Sequence, residues 1–408
     1  MSTHYDELET RTPDERAADI SRQLPDIVAH AQGKSKAMAK HLGGIDPAAV
    51  TSREELAKLP VLRKSALHEA QKADPPFGGF NVMAPSEYAQ IFQSPGPIYE
   101  PGQTTPDWWR GARFVHACGI GKGDIVQNCF SYHLTPAGIM FENAAHCVGA
   151  AVVPAGTGQT ELQAQAAAAI GVTAYAGTPD FLKNILQSGD EQKLDLSRLA
   201  KAAVTGGALF PSLRQEYADR GIACRQCYAT ADLGNVAYES EAMEGMIVDE
   251  GVIVEIVTPG TGDPVPEGDV GEVVVTTFNR DHPLIRFATG DLSAVLPGIS
   301  PCGRTNMRIK GWMGRADQTA KVRGMFVRPE QVAALVAHHP EIAKARVVIT
   351  RADERDQMTV QVEADSTDEK AVGESVQNYL KVRGDVDVVK PGSLARDGIV
   401  IDDQREYD

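Results

Sequence analysis

The sequence lacks the features that mark several classes of protein. No apolar stretch in its 408 residues approaches the roughly 18 consecutive apolar residues that a membrane-spanning helix requires. Residues 1–20 are acidic and helical in character, which is unlike a secretory signal. No internal repeat or low-complexity segment stands out. The sequence therefore predicts a globular protein with no membrane partner, and we expect it in the cytoplasm.

Positive charge is also scarce. Lysine and arginine number 40 against 55 aspartate and glutamate residues, which gives a formal net charge of −15. Because nucleic-acid phosphates repel a negative surface, we expect no nucleic-acid partner. A local basic pocket for a small anionic ligand is still compatible with this balance.

Cysteine is sparse and scattered, with six in the chain. Cys224 and Cys227 form a single CxxC with no matching second pair. A zinc site needs more ligands than this pair, and we favour two buried thiols in a reducing compartment over a zinc or redox site.

What is present is a regular alternation of short apolar runs and helix-like segments from about residue 112 to 260. This pattern is typical of an α/β protein with a largely parallel sheet. The predicted strands are "DIVQNCF", "AAVVPA", "VTAYAG" and "KAAVTGG". The predicted helices are "LTPAGIMFENAAHCVG", "QTELQAQAAAAIG" and "PDFLKNILQSG", each running into a glycine.

The pattern changes near residue 245. From about residue 245 to residue 312, apolar and polar side chains alternate between turn signals, which predicts an antiparallel β subdomain. After "GWMGRADQTAKVRG" the tail reads helix, strand, strand, helix. We interpret the tail as a compact α+β module of about 90 residues; the length predicts two or three domains in all.

Two polar motifs follow one another in the second half. In "FATGDLSAVL" the carboxylate of Asp291 lies at a strand end, where it can accept hydrogen bonds from two neighbouring hydroxyls, as on a ribose. In "GRADQTAKVRG" the guanidinium of Arg315 suits a phosphate or a sugar. Taken singly, the alternatives are an ordinary Gly-Asp turn and a solvated basic turn.

Two further motifs belong to the α/β region. In "QCYATADLG" an aromatic ring, Tyr228, and a carboxylate, Asp232, can enclose a flat ligand and hold a polar group or an ion. In "VTGGALF", Gly206 and Gly207 end an apolar strand, where backbone can approach a ligand closely. Plain turn chemistry is the alternative for each motif alone.

These motifs, in this order, resemble the adenylate-forming superfamily, and within it the phenylacetate-CoA ligase family. The similarity extends over nearly the whole chain. Its most specific segments are "GAAVVPAGTGQTELQAQ", "EIVTPGTGDPVPEGDVGEVVVTT", "PLIRFATGDLS" and "GRADQTAKVRGMFVRPEQV".

The resemblance implies a fold and an activity. It implies a large N-terminal domain, residues 1–316, and a small mobile α+β domain, residues 317–408. Such enzymes join a small carboxylic acid to ATP as an acyl-adenylate and then transfer the acyl group to CoA. The implied ligands are therefore ATP or AMP, CoA, a carboxylic acid or acyl-CoA, and magnesium.

The resemblance also assigns residues. Asp291 would hold the ribose hydroxyls and Arg315 the ribose or phosphate. Adenine would be bordered by Gly206, Gly207 and Tyr228. Asp232 falls where the family has a magnesium-binding glutamate, one methylene longer. The hinge between the domains would lie at Asp317 and Gln318.

The acid pocket would begin in "NCFSYHLTPAG" at Tyr132. His133 and Thr135 make this stretch more polar than the family's pattern, which disfavours phenylacetate itself. His133 is also a candidate general base, because imidazole titrates near neutral pH. The alternative for His133 is a histidine satisfied at a helix end.

The family's phosphate loop, roughly SSGTTGKP, is altered here. It aligns with "SPGPIYEP", from Ser94 through Gly96 to Pro101. Prolines have no N–H to donate, and hydroxyls, a glycine and the lysine are lost. Glu100 takes the place of the lysine, and an ionised carboxylate about 4 Å from a phosphate costs about 1–4 kcal/mol.

A second adenylation element is missing near the C-terminus. The family carries a lysine there that contacts the reacting carboxylate and phosphate, whereas Ile399 occupies its approximate place and no lysine follows Lys390. Loss of such a cation weakens stabilisation of the transition state.

Three hypotheses follow from the sequence. The first is an acyl- or aryl-CoA ligase with weakened adenylation. The second is an ATP-independent enzyme on the same scaffold that acts on a CoA thioester or an acyl-adenylate. The third is a non-catalytic binding or regulatory homologue. The sequence leaves open whether the protein is a homodimer.

Overall fold

A computed structural model describes residues 3–94, 97–207, 209–314, 316, 318, 320–323, 325–352, 355–395 and 397–405. The chain forms two compact units. The first unit comprises residues 1–254, 275–287 and 296–311, and the second comprises residues 255–274, 288–295 and 312–408. The domain boundary expected after residue 316 stays a prediction.

Helices occur in both units. Within the described residues the α-helices are α1 (Pro13–Lys34), α2 (Lys36–His41), α3 (Arg53–Leu56), α4 (Lys64–Ala73), α5 (Ala112–Ala117), α6 (Ala137–Cys147), α7 (Thr160–Ile170), α8 (Pro179–Glu191), α9 (Pro211–Asp219), α10 (Pro329–His338) and α11 (Glu369–Leu380). Short 3-10 helices lie at Glu7–Thr10, Pro47–Ala49 and Pro85–Glu87. None of the described helices is both long and apolar enough to cross a membrane.

Strands make up most of the remaining regular structure. They are β1 (Leu62–Arg63), β2 (Gln90–Ser94), β3 (Ile98–Gly102), β4 (Ile125–Asn128), β5 (Ala151–Pro154), β6 (Ala174–Gly177), β7 (Lys201–Val204), β8 (Ala223–Thr230), β9 (Gly234–Tyr238), β10 (Met246–Val248), β11 (Val252–Val257), β12 (Val270–Thr277), β13 (Phe287–Leu296), β14 (Arg308–Ile309), β15 (Ala320–Val322), β16 (Met325–Val327), β17 (Lys344–Ala352), β18 (Arg355–Glu363), β19 (Asp385–Val389) and β20 (Ile401–Asp403).

The first unit is built on a parallel sheet in the strand order β8-β7-β6-β4-β5. On one face Phe114 of α5 and Phe141 of α6 join a buried apolar cluster. On the other face a second cluster contains Ala164 of α7 and Ile185 of α8. The three strands and three helices predicted between residues 124 and 191, and the fourth predicted strand at 201–204, are present, which confirms the α/β class.

Local sequence explains where these elements begin and end. Helix α1 begins after Thr12, whose side chain accepts from the Glu15 N–H while Glu15 accepts from the Thr12 N–H. Helix α7 ends at Gly171, which has φ of 72°. A side chain at that φ is strained, so the glycine suits the end of this helix.

Antiparallel strands extend the first unit: β8 pairs with β9, β9 with β10, and β10 with β14. The second unit contains residues 255–257 of β11, 270–274 of β12 and 288–295 of β13, so part of the predicted antiparallel subdomain clusters with the tail. The tail has the sheet order β19-β18-β17-β20. Its predicted helix, two strands and second helix correspond to α10, β17, β18 and α11.

The CxxC lies on β8 with its two thiols on opposite faces of the sheet, as an offset of three residues on a strand requires. Cys224 belongs to one apolar cluster and Cys227 to the other. Burial raises the pKa of each thiol to about 12. Both cysteines are free and buried, as predicted.

Candidate functional site

The segment aligned with the phosphate loop is largely a β-hairpin. Strands β2 and β3 are antiparallel, with Ser94 opposite Ile98 and Phe92 opposite Glu100. The connection therefore comprises only residues 95–97, of which Pro97 alone lies within the described residues. Gly96, aligned with a family glycine, lies outside them. The sequence predicted a loop over 94–101, whereas Ile98–Gly102 form a strand.

Helix α4 contacts the outer part of this hairpin. The Gln71 side chain donates to the Tyr99 carbonyl oxygen at 2.8 Å and accepts from the Tyr99 N–H at 2.8 Å. His68 Nδ1 lies 2.9 Å from the Pro97 carbonyl oxygen. Pro97 has no N–H. The Tyr99 N–H is therefore already hydrogen-bonded and Pro97 has none, so neither position presents an N–H group to a phosphate.

Glu100 turns into the protein. Its side chain is buried, and its Oε1 atom accepts from the Ser94 hydroxyl at 2.5 Å. Burial, with a contribution from the nearby Asp232 carboxylate, raises the pKa of Glu100 from its ordinary 4.5 to about 8. At pH 7 the carboxyl group is mostly protonated. The structure therefore corrects the expectation that Glu100 repels phosphate at neutral pH. Glu100 stands where the family has a lysine, so a positive charge is lost, but the carboxyl group is fully ionised only above about pH 8.

Asp232 lies beside this hairpin with its side chain fully buried. Its Oδ2 atom accepts from the Lys64 ammonium at 2.7 Å, whereas its Oδ1 atom is buried with no hydrogen-bond partner. Lys64 is the first residue of α4, and its side chain is 34% exposed. Burial lowers the pKa of His282 to about 4, and the Asp232 carboxylate opposes that shift. Lys64 is thus the charged partner of Asp232.

The predicted acid pocket lies next to the hairpin. The Gln93 N–H donates to the Leu134 carbonyl oxygen at 2.8 Å, which joins β2 to the loop of residues 131–136. The Tyr132 hydroxyl donates to Glu142 at 2.7 Å and accepts from Asn128 at 2.8 Å. Burial and the Glu142 carboxylate raise the pKa of Tyr132 above its usual range. Tyr132 is therefore held as a neutral phenol.

Two polar residues of the same loop are more open. His133 is exposed and precedes α6 by several residues, and Thr135 is half-buried with its N–H donating to the His133 carbonyl oxygen at 2.7 Å. His133 is thus not at a helix end, which corrects that alternative. Its role as a general base stays a prediction.

The residues expected around adenine lie at one edge of the parallel sheet. Gly206, with φ of 73°, and Gly207 are exposed just after β7. Tyr228 is buried on the neighbouring strand β8, at a register shift. The Thr205 hydroxyl donates to the Cys227 carbonyl oxygen at 2.8 Å, which joins the glycine turn to β8. The structure thus brings these three predicted residues to adjacent strand ends.

Asp291 belongs to the second unit. It lies on β13, its N–H donates to the Thr289 hydroxyl at 3.1 Å, and its Oδ1 atom accepts from the Trp312 indole at 3.1 Å. The Trp312 side chain is exposed, so this carboxylate has a flat apolar neighbour at the surface. Arg315, predicted to contact ribose or phosphate, lies outside the described residues.

The predicted hinge is only partly described, because Asp317 lies outside the described residues. The Gln318 side chain donates to the Gly398 carbonyl oxygen at 2.9 Å and accepts from the Ile401 N–H at 2.7 Å and from the Val400 N–H. Gln318 thus fixes the segment that contains Ile399. The Arg346 guanidinium donates to the Ile399 carbonyl oxygen at 3.1 Å.

The site does not fit a magnesium ion. Among the described residues no group of three or more His, Cys, Asp or Glu side chains is arranged to hold a metal. One oxygen of Asp232 is taken by an ammonium group, and Glu100 is held by a hydroxyl. A protein usually binds magnesium through one or two ionised carboxylates, with waters and ligand phosphates completing a near-octahedral geometry.

This combination of a doubly wound sheet, antiparallel strands and a small α+β tail defines the fold of the adenylate-forming enzymes. Residues 110–279 match the family of AMP-binding enzymes, and residues 324–403 match the AMP-binding enzyme C-terminal domain. The chain belongs to the adenylate-forming superfamily, as the resemblance of its motifs implied.

Relatives and solved structures agree with this membership. The phenylacetate-coenzyme A ligase of Thermus thermophilus is 27% identical over 93% of this chain and 88% of its own. That of Pseudomonas putida is 30% identical over 71% of this chain and 67% of its own. A crystal structure of 2-hydroxyisobutyryl-CoA ligase with 2-HIB-AMP is 25% identical, with a TM-score of 0.71, and covers 97% of this chain and 91% of that one.

Sequence reasoning missed Lys64, Gln71, His282 and Trp312. Lys64 and Asp232 are 168 residues apart in the chain, and Lys64 lies in a segment that reads only as a helix start. One observation could have pointed to Lys64. Because the segment aligned with the phosphate loop has no lysine, another cation could be expected near Asp232. Gln71 and His282 gave no comparable signal.

Proposed function

We propose that this protein is an acyl- or aryl-CoA ligase in which the ATP-dependent adenylation step is weakened. The supporting observation is the hairpin that replaces the phosphate loop. Its Tyr99 N–H is engaged by Gln71 and its Glu100 is buried against Ser94. Adenylation requires donors and cations aimed at the phosphates, and these groups do not supply them.

The substrate class we propose is a small carboxylic acid more polar than phenylacetate. The loop that would begin the acid pocket presents His133 and Thr135, and the Tyr132 hydroxyl is bonded to Glu142 and Asn128. Such a pocket favours an acid that can itself hydrogen-bond, because unpaired polar groups around an apolar ring are costly. ATP or AMP and CoA are the proposed co-ligands, with Asp291 as the ribose contact.

A second candidate is an ATP-independent enzyme that acts on a CoA thioester or on an acyl-adenylate made elsewhere. The ion pair of Lys64 and Asp232 favours it, because the carboxylate expected at magnesium is already neutralised. His133 would then be the general base. A non-catalytic binding or regulatory homologue is the third outcome that the experiments below distinguish.

The first experiment measures pyrophosphate release with a panel of aromatic and short-chain acids, with and without CoA. For the first candidate we expect slow, acid-dependent release, at least about 100-fold below an intact family member, as expected from losing about 3 kcal/mol of phosphate stabilisation. Turnover as fast as that of an intact member contradicts the weakening. A thermal shift with CoA or acyl-CoA but not with ATP supports the second candidate. No small-molecule binding together with a co-purifying protein supports the third.

A gain-of-function variant tests the hairpin directly. Pro97→Thr, Ile98→Thr, Tyr99→Gly and Glu100→Lys together restore the family's residue types, and we expect ATP affinity to rise about tenfold, or ~1.4 kcal/mol. Ile91→Thr, at an exposed position of β2, is the matched control and should leave ATP affinity unchanged. Equal affinities in the two variants would mean that the hairpin is not the phosphate site.

A further inference from the structure

The ion pair between Lys64 and Asp232 occupies the position at which a divalent cation would be expected. We propose that the Lys64 ammonium replaces that cation, so that the site binds the phosphate groups of its ligand without a metal. This inference rests on the proposed function, because it uses the same phosphate site.

The contacts of Lys64 place its ammonium group where it can act as the cation of this site. Its Nζ atom lies 2.7 Å from Asp232 Oδ2, which is a charge-assisted hydrogen bond, and the Asp232 side chain is fully buried. The Lys64 side chain is 34% exposed, so it is open to solvent on one side. A group that is anchored to a buried carboxylate and partly open to solvent can contact a second anion, as a metal ion does.

The backbone holds Lys64 in place. Strand β1 immediately precedes Lys64, and the Leu62 N–H of β1 donates to the Arg286 carbonyl oxygen at 2.9 Å. Lys64 is also the first residue of α4, where the positive end of the helix dipole adds to the charge of the ammonium group. Its position therefore depends on fixed secondary structure and not on the side chain alone.

The remaining oxygens around the ion pair do not complete a metal site. Asp232 Oδ1 and Glu100 Oε2 are buried without hydrogen-bond partners, and Glu100 Oε1 accepts from Ser94. A divalent ion would have to enter beside an ammonium group, and the repulsion between two cations at contact distance opposes this. Removing the ammonium group leaves the Asp232 carboxylate with a free oxygen pair, which a divalent ion can then take.

Two probes test the proposal: Mn²⁺ alone, followed by its free-ion electron paramagnetic resonance signal, and inorganic pyrophosphate, followed by calorimetry in EDTA. For the unmodified protein we expect no Mn²⁺ site tighter than about 1 mM and pyrophosphate binding that EDTA does not weaken. A sub-millimolar Mn²⁺ site, or pyrophosphate binding that is absent or requires Mg²⁺, overturns the proposal. These measurements need no variant and no turnover.

Variants then assign the effect to one side chain. In Lys64→Met we expect pyrophosphate binding in EDTA to weaken at least about tenfold, as for loss of a charged hydrogen bond, and a Mn²⁺ site to appear, with a rise in Tm on adding Mn²⁺. Lys72→Met is the matched control, because Lys72 lies on the same helix, is exposed and pairs with the exposed Glu69. It should bind both probes as the unmodified protein does.

Lys64→Arg keeps the charge and should retain metal-free pyrophosphate binding. Unchanged pyrophosphate affinity in Lys64→Met overturns the proposal. The proposed function fails separately: a protein that never forms an acyl-CoA can still bind pyrophosphate through Lys64, and a protein that forms acyl-CoA can still prove to need Mg²⁺.

Discussion

The β2–β3 hairpin and the carboxyl edge of the parallel sheet belong to the same unit but differ in the exposure of their polar groups. In the hairpin, Ser94 and Glu100 are buried against each other and Tyr99 is bonded through its backbone to Gln71. At the sheet edge, Gly206 and Gly207 are exposed. The polar groups of the hairpin are bonded within the protein, whereas the backbone at the sheet edge is exposed.

The hairpin connection contributes little to the buried apolar clusters of the first unit. The two apolar clusters on the faces of the parallel sheet include no residue of 94–101 among those described. Because the hydrophobic clusters carry most of the stability, the connection between β2 and β3 is free to vary.

The largest effect is expected at Asp291, where the chain retains the residue type that the family has. Asp291→Ala should weaken binding of AMP by at least about 100-fold, or about 3 kcal/mol, because a carboxylate that accepts from two ribose hydroxyls contributes two charged hydrogen bonds. Isothermal calorimetry measures the change. Asp402→Ala, on β20 of the same unit, is the control. Unchanged affinity in Asp291→Ala removes the ribose assignment.

The next effect concerns the buried carboxyl group of the hairpin. Because the folded-state pKa of Glu100 is raised to about 8 from 4.5, the unfolded chain releases this proton first. Stability due to the protonated form is complete below about pH 4.5 and is lost as pH rises through about 8. Glu100→Gln cannot ionise, and its stability relative to the unmodified protein should rise by about 4 kcal/mol between pH 5 and pH 9.

Urea unfolding at the two pH values measures this difference. Glu69→Gln, at a fully exposed carboxylate on α4, should show no comparable dependence on pH. A constant difference between Glu100→Gln and the unmodified protein across this pH range would show that Glu100 is ionised in the folded state.

The smallest effect is expected where α4 contacts the hairpin. Gln71→Leu keeps the approximate volume of the side chain but leaves the Tyr99 N–H and carbonyl oxygen without their partners, so the free energy of unfolding should fall by about 1–2 kcal/mol. Gln215→Leu, at a residue bonded to Asp219 on the protein surface, should cost much less. Equal losses would mean that water replaces Gln71 at the hairpin.

Much of the fold could be predicted because its signals are local. The runs that became β4, β5, β6 and β7 are short, apolar and separated by amphipathic helices, so their type follows from periodicity. The buried thiols of Cys224 and Cys227 followed from the missing second pair. The helix-like segment "TPDWWRGARFVHACGI" is an exception, because within it only Ala112–Ala117 form a helix, α5.

The site was less predictable because its contacts are distant in the chain. Asp232, Tyr228 and Gly206 could be singled out from their motifs, but the partner of Asp232 is 168 residues away. The sequence also suggested that Glu100 would face a phosphate, and only its burial against Ser94 shows that it points inward. Side-chain direction near a tight connection depends on register, which the sequence alone leaves open.

The amino-acid sequence by itself determined the membership of this chain in its superfamily, the α/β class and the loss of a lysine and hydroxyls at the phosphate segment, because each of these depends on residue identity and spacing. Tertiary structure decided which group neutralises Asp232 and whether Glu100 carries a charge. Both depend on burial and on contacts between residues far apart in the chain, since a carboxyl group removed from water is ionised only where a partner compensates it.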